Sequence, residues 1–184
     1  MRAFLVAALV VAAAAAARAT VLVPIAFREL VATAPIIVHG EVIDVRSDWS
    51  PGRRSVETFL TLRADEYLKG DLGPEITVQV PGGRLGRYRT IMIGAPVFQR
   101  GDEVVLFLRT GAPSYPSIVG LSQGAFRVVA MPGSSARLVT PPAVMGLPGM
   151  TDAQPVIRGD EARRPVAIEQ FRNIVRQVLA ENVR

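Results

Sequence analysis

The apolar run Val104-Val-Leu-Phe-Leu108, introduced by the turn Gly101-Asp-Glu103, constrains this chain more than any other segment. Such a run between turn signals, short and rich in β-branched and aromatic residues, suits a strand covered on both faces and therefore central in its sheet. Upstream, residues 58–68 alternate in polarity and stop at Gly70, and Ile76-Thr-Val-Gln-Val80 repeats the period of two. Strands at this spacing, separated by Gly, Pro and Asp turns, predict a small antiparallel barrel or sandwich.

The flanking segments extend that pattern. Residues 26–33 predict a short helix with Phe27, Leu30 and Val31 on one side, ended by Pro35. Residues 36–45 read as a long strand in which Gly40 marks a bulge or a bend. A polar turn follows over 47–54, and a Gly/Arg-rich hairpin over 81–89 leads into a returning strand at 88–93. Short strands are expected at 118–121, 125–130 and 137–140. The Pro/Gly density of 141–164 predicts a linker or wrapping arm. Residues 165–182 then form an amphipathic helix, with proline in its first turn and a stripe of Ile168, Phe171, Ile174, Val175, Val178 and Leu179. A short helix, seven or eight strands and a closing helix fit a mainly β chain folded as a five-stranded Greek-key barrel with extra hairpins, spanning 20–140.

Segments of this barrel carry a family likeness. Ile37-Val38, Gly40 and Val42, the strand ending Tyr67-Leu-Lys-Gly70, and Gly101-Asp-Glu-Val-Val-Leu-Phe-Leu108 resemble uncharacterised bacterial secreted domains. More distantly they resemble the netrin-like and metalloprotease-inhibitor group, whose fold is an OB-type barrel. The likeness covers about half the chain and implies the fold alone. Inhibitors of that group act through an N-terminal cysteine at the protease zinc, and this chain contains no cysteine.

The N-terminus points to export. Arg2, the apolar run over 4–16 and Ala17-Arg-Ala19 match the three regions of a secretory signal peptide over residues 1–19. The run is shorter than the roughly 20 residues of a membrane span, so no transmembrane segment is expected after cleavage. The expected location is the bacterial periplasm or the extracellular space. Without Arg2 and Arg18 the net charge falls from +5 to +3 (19 basic against 16 acidic residues), ordinary solubility charge that gives no reason to expect a nucleic-acid partner. Lacking cysteine, the chain has no disulfide, thiolate metal site or cysteine nucleophile, so its stability comes from its core.

Motifs that carry chemistry elsewhere lack their context here. Gly120-Leu-Ser-Gln-Gly124 matches G-x-S-x-G, but the following residues read as a strand, and the single histidine, His39, precedes the serine. A tight turn is expected instead, and His39 is read as a half-buried, hydrogen-bonded strand residue. Neighbours in the pairs Asp65-Glu66, Asp102-Glu103 and Asp160-Glu161 point to opposite faces of a strand, so no pair converges on one bond. No metal site, cofactor or catalytic residue is expected. The candidate ligand-binding residues are Arg84, Arg87, Tyr88 and Arg89 on the glycine-supported hairpin, with Arg53 and Arg54 in another loop. Forked guanidinium donors beside a flat ring suit carboxylate or phosphate groups. The chain is therefore read as an exported, non-enzymatic binding or interaction module whose partner is a protein or an anionic envelope component. The alternatives are a small secreted hydrolase, a protease-associated domain or a structural envelope component.

Overall fold

The computed structural model describes residues 24–50, 52–111, 115–131, 133–142 and 164–182. The expected signal peptide and nearly all of the expected arm at 141–164 lie outside the described residues. The elements run α1 (Phe27–Thr33), β1 (Ile36–Trp49), β2 (Val56–Lys69), β3 (Glu75–Pro81), β4 (Gly83–Leu85), β5 (Tyr88–Thr90), β6 (Glu103–Arg109), β7 (Ser117–Ile118), β8 (Ala125–Ala130), β9 (Arg137–Thr140), β10 (Val166–Ala167) and α2 (Ile168–Glu181). The chain is mainly β, with one large mixed sheet and a helix near each end of the described residues.

Pairing runs antiparallel from β1 to β2 and from β2 to β3. It is parallel between β3 and β7 at Gln79 and Ser117, then antiparallel from β7 to β6 and from β6 to β1. Strands β8, β9 and β10 continue outward from β6. β4 and β5 make a separate two-stranded sheet. The parallel contact departs from the wholly antiparallel arrangement expected from the sequence.

Several element bounds also differ: the strand expected at 118–121 is reduced to Ser117–Ile118 before a 3-10 turn, and three further bounds turn on whether a backbone partner is present. β1 continues to Trp49 because its polar end stays paired with β2, Asp48 opposite Glu57 and Trp49 opposite Val56. β5 stops at Thr90, where its pairing with Gly83 ends. The C-terminal helix starts at Ile168 instead of 165, because Val166 and Ala167 pair with Val139 and Leu138 on β9.

β6 is buried on both faces, as its unbroken apolar run implies. Val104, Leu106 and Leu108 enter one core with Val38, Val42, Leu60, Leu62 and Val78. Val105 and Phe107 enter the other, beneath the helices, with Phe27, Leu30, Phe126, Phe171 and Val175. β1 serves both cores, and its register against β2 shifts between His39 and Gly40. A Cβ at Gly40 would sit 2.2 Å from the carbonyl oxygen of Arg63, so only glycine allows the strands to approach there.

The helices are fixed from outside as well. Lys69 donates from Nζ to the carbonyls of Val31 (2.9 Å) and Ala32 (3.2 Å), satisfying acceptors at the C-terminal end of α1. Arg28 pairs with Glu181, joining α1 to α2. Arg172 and Arg176 on α2 reach Glu66 of β2 at 2.7 and 3.2 Å. Among the described residues, no helix is long and apolar enough to cross a membrane.

Candidate functional site at the arginine hairpin

The hairpin β4–β5 is bolted to the ends of β1 and β2. Thr58 donates from Oγ1 to the Gly82 carbonyl at 2.7 Å, and the Val56 N–H donates to Thr90 Oγ1 at 2.9 Å. Gly83 lies so close to this support that a Cβ would meet Thr58 Oγ1 at 2.9 Å and Ser47 Oγ at 3.0 Å. A side chain there would push the hairpin off the strands.

Hairpin register then sorts the four candidate residues. Gly83 faces Thr90, Arg84 faces Arg89 and Leu85 faces Tyr88 across the two-residue turn. Directly opposed residues share a face of a hairpin, so Arg84 and Arg89 stand side by side. Tyr88 belongs to the other face, where its ring packs edge-on against Trp49 at 5.0 Å. Arg87 folds over Tyr88, 5.1 Å from the ring centroid, and donates to its hydroxyl at 2.9 Å. The structure therefore divides the expected cluster in two. Arg84 and Arg89 form a cationic pair, whereas Arg87 and Tyr88 form a stacked unit with Trp49. Arg53 and Arg54 are exposed in the β1–β2 turn.

Arg84 and Arg89 rim a cleft of about 320 Å³. Its apolar lining includes Val45, Val80, Ala95 and Phe98, with Met92 and Val97 at the edge. Among the described residues, none of Arg84, Arg87 and Arg89 pairs with a carboxylate. By contrast, Arg63, Arg127, Arg137 and Arg172 each have an acidic partner. This site offers two guanidinium groups beside an apolar hollow.

The other chemical motifs are occupied structurally. Ser122 lies in a 3-10 turn (Leu121–Gly124) that runs straight into β8, and its N–H donates to the Gly94 carbonyl at 3.0 Å. That is a strand-to-strand turn, not the strand-to-helix elbow a nucleophilic serine requires. His39 is more deeply buried than expected, at 3% exposure, and its Nε2 lies 2.7 Å from Glu103 Oε1. Arg137 donates to that same oxygen at 2.6 Å. Asp102, on the other hand, pairs with Arg127 at 2.8 Å, so neighbouring Asp102 and Glu103 hold separate partners. The pair Asp160-Glu161 lies outside the described residues. Among the described residues, no cluster of three histidine or acidic side chains could hold a metal ion.

A second aromatic feature, a buried Phe59 beneath an exposed Tyr115, escaped the sequence reading. Phe59 packs edge-on against Tyr115 at 5.3 Å, and Arg46 lies 5.1 Å over the Phe59 ring. The signal was present, since Phe59 shares its alternation phase with polar Glu57, Thr61 and Arg63 on β2. Its partner Tyr115 comes from the distant β6–β7 loop and has no pattern that would announce it. Comparison with protein-family models, curated proteins and solved structures gives no match to this chain.

Proposed function

We propose that this chain is an exported, non-enzymatic binding module that captures an anionic partner at the Arg84–Arg89 pair and the apolar cleft beneath it. Its scaffold, on this reading, is a small OB-like Greek-key barrel of the kind suggested by the netrin-like resemblance. The circuit of pairings β1–β2–β3–β7–β6–β1, with β1 serving both cores, supports the barrel reading.

The observation that carries the functional reading is the register of the hairpin. Two like charges held directly opposite each other destabilise a free hairpin. An anionic group placed between Arg84 and Arg89 reverses that penalty and gains charge-assisted hydrogen bonds from both forks. Export rests on residues 1–19, and N-terminal sequencing of the protein from an envelope fraction should begin at Thr20. Recovery of an intact Met1 end would remove that part of the proposal.

Binding is tested with soluble polyglutamate as the anionic probe. The chain's single tryptophan, Trp49, packs edge-on against Tyr88 of the hairpin and reports binding by its fluorescence. Arg84→Ala with Arg89→Ala should abolish the polyglutamate response, and added salt should weaken that of the wild type. The thermal midpoint of the double variant should stay constant or rise, because exposed charges contribute little and a repulsive pair is removed. Equal binding by wild type and variant would refute the site.

A further inference from the structure

We infer that the anionic partner is a lipid bilayer surface, entered by the aliphatic loop that follows β5. The inference rests on the reading of Arg84 and Arg89 as an anion site and adds what lies around them. Ile91 and Ile93 are each 69% exposed and Val97 is 75% exposed, the three most exposed large hydrophobic residues of the described chain. Met92 between them is 46% exposed. Large aliphatic side chains clustered on one exposed segment, while both cores are already filled, mark an interaction surface.

The charge along this segment of the chain is one-signed, and Asp102, which ends it, is already paired with Arg127. Between Glu75 and Asp102 the chain carries Arg84, Arg87, Arg89 and Arg100 and no carboxylate. Exposed aliphatics flanked along the chain by arginines that have no acidic partner among the described residues complement an anionic headgroup layer with hydrocarbon beneath it. Guanidinium groups fork onto lipid phosphates while the aliphatic tips reach the acyl boundary. Trp49 and Tyr88, stacked beside the same hairpin, are the ring types that settle at membrane interfaces.

An acidic peptide would meet the charge requirement but not the shape. Peptides take concave seats, whereas Ile93 lies outside the cleft lining at 69% exposure, and Ile91 and Val97, which line the cleft, still leave 69% and 75% of their surface exposed. A bilayer accepts such a protrusion.

The test is flotation of the full protein with vesicles of phosphatidylcholine containing phosphatidylglycerol, against vesicles of phosphatidylcholine alone. Binding to the anionic vesicles only is expected, with a blue shift of Trp49 emission. Ile93→Ser, outside the cleft, should lower the apparent partition roughly tenfold, since the side chain forfeits its burial in the interface. Its polyglutamate response should be unchanged. Three results overturn the inference. Vesicle binding undiminished in the serine variant removes insertion but leaves the arginine site intact. Polyglutamate binding by the wild type without vesicle binding removes the lipid partner and likewise leaves the anion site. Loss of neither probe in Arg84→Ala with Arg89→Ala removes the anion site and the lipid inference together.

Discussion

Replacing Phe171 with alanine probes whether the C-terminal helix is structural to the domain. Phe171 is fully buried and meets three rings from three other elements: Phe27 of α1 at 5.6 Å, Phe107 of β6 at 6.5 Å and Phe126 of β8 at 5.3 Å. Truncating a buried phenylalanine costs about 3–5 kcal/mol through lost transfer energy and the cavity left behind. Two features place this case near the upper end. Collapse of the cavity is resisted, because the opposite face of β6 is locked into the second core through Val104, Leu106 and Leu108. Each of the three ring contacts also adds about 0.5–1.5 kcal/mol beyond its area, although these losses do not simply add. A cost of about 4–5 kcal/mol follows, a large share of the roughly 5–15 kcal/mol that stabilises a typical domain. Urea unfolding followed by circular dichroism measures it, with the slope checked for a separate early transition. Such a transition is a natural consequence, since a helix of the length of α2 is marginal once detached. Phe171→Leu, which restores most of the volume, should cost less than about 1.5 kcal/mol. A loss below about 1 kcal/mol for the alanine variant, with unchanged slope, would refute the argument and make the stripe of α2 a surface for a partner instead.

Gly40→Ala should destabilise by about 2–3 kcal/mol, because its Cβ meets a carbonyl of the paired strand rather than a yielding side chain; a thermal midpoint equal to the wild type's would contradict the close approach. Lys69→Met removes two donors to the end of α1 and should cost about 1–2 kcal/mol, with faster amide exchange confined to that helix and its contacts. For pH, the hydrogen bond from Arg28, and then that from Gln177, holds the Glu181 carboxyl below its ordinary value of 4.5. A lowered folded-state value stabilises above the ordinary pKa, and that contribution is lost as pH falls through the folded value. Thermal midpoints of wild type and Glu181→Gln should therefore differ slightly at neutral pH and converge in acid. A gap that is constant with pH would show that the carboxyl is not held by Arg28. Ser122→Ala should leave the thermal midpoint nearly unchanged, and labelling of Ser122 by a fluorophosphonate would overturn its assignment as a turn residue.

Elements whose partners are local, or whose two faces are both buried, were legible in the sequence. β6 announces its central place through five consecutive apolar residues, and both helices show their buried stripes at the correct spacing. Gly40 stands out because nothing else explains glycine inside an apolar strand. What stayed hidden depends on chain segments meeting from afar. Val166 and Ala167 look like the start of a helix after Pro165, and only the free edge of β9 turns them into a strand. The parallel contact of β3 with β7 rests on a single residue pair and leaves no periodic trace.

The candidate site shows the same division at finer grain. Composition alone identifies Arg84, Arg87, Tyr88 and Arg89 as a cationic, aromatic hairpin, but it does not say which of them act together. That follows from register, and a slip of one residue would move each side chain to the opposite face. In the observed register the turn falls at Gly86 and Arg87, and Arg84 meets Arg89. Thr58 and Thr90 enforce it, since their hydrogen bonds clamp the open end of the hairpin to β2. The proposed anion site thus depends on two threonines that carry no charge and would attract no notice in a search for binding residues. The clamp fixes Arg84 and Arg89 opposite each other across the hairpin, and it is this register that the proposed anion site requires.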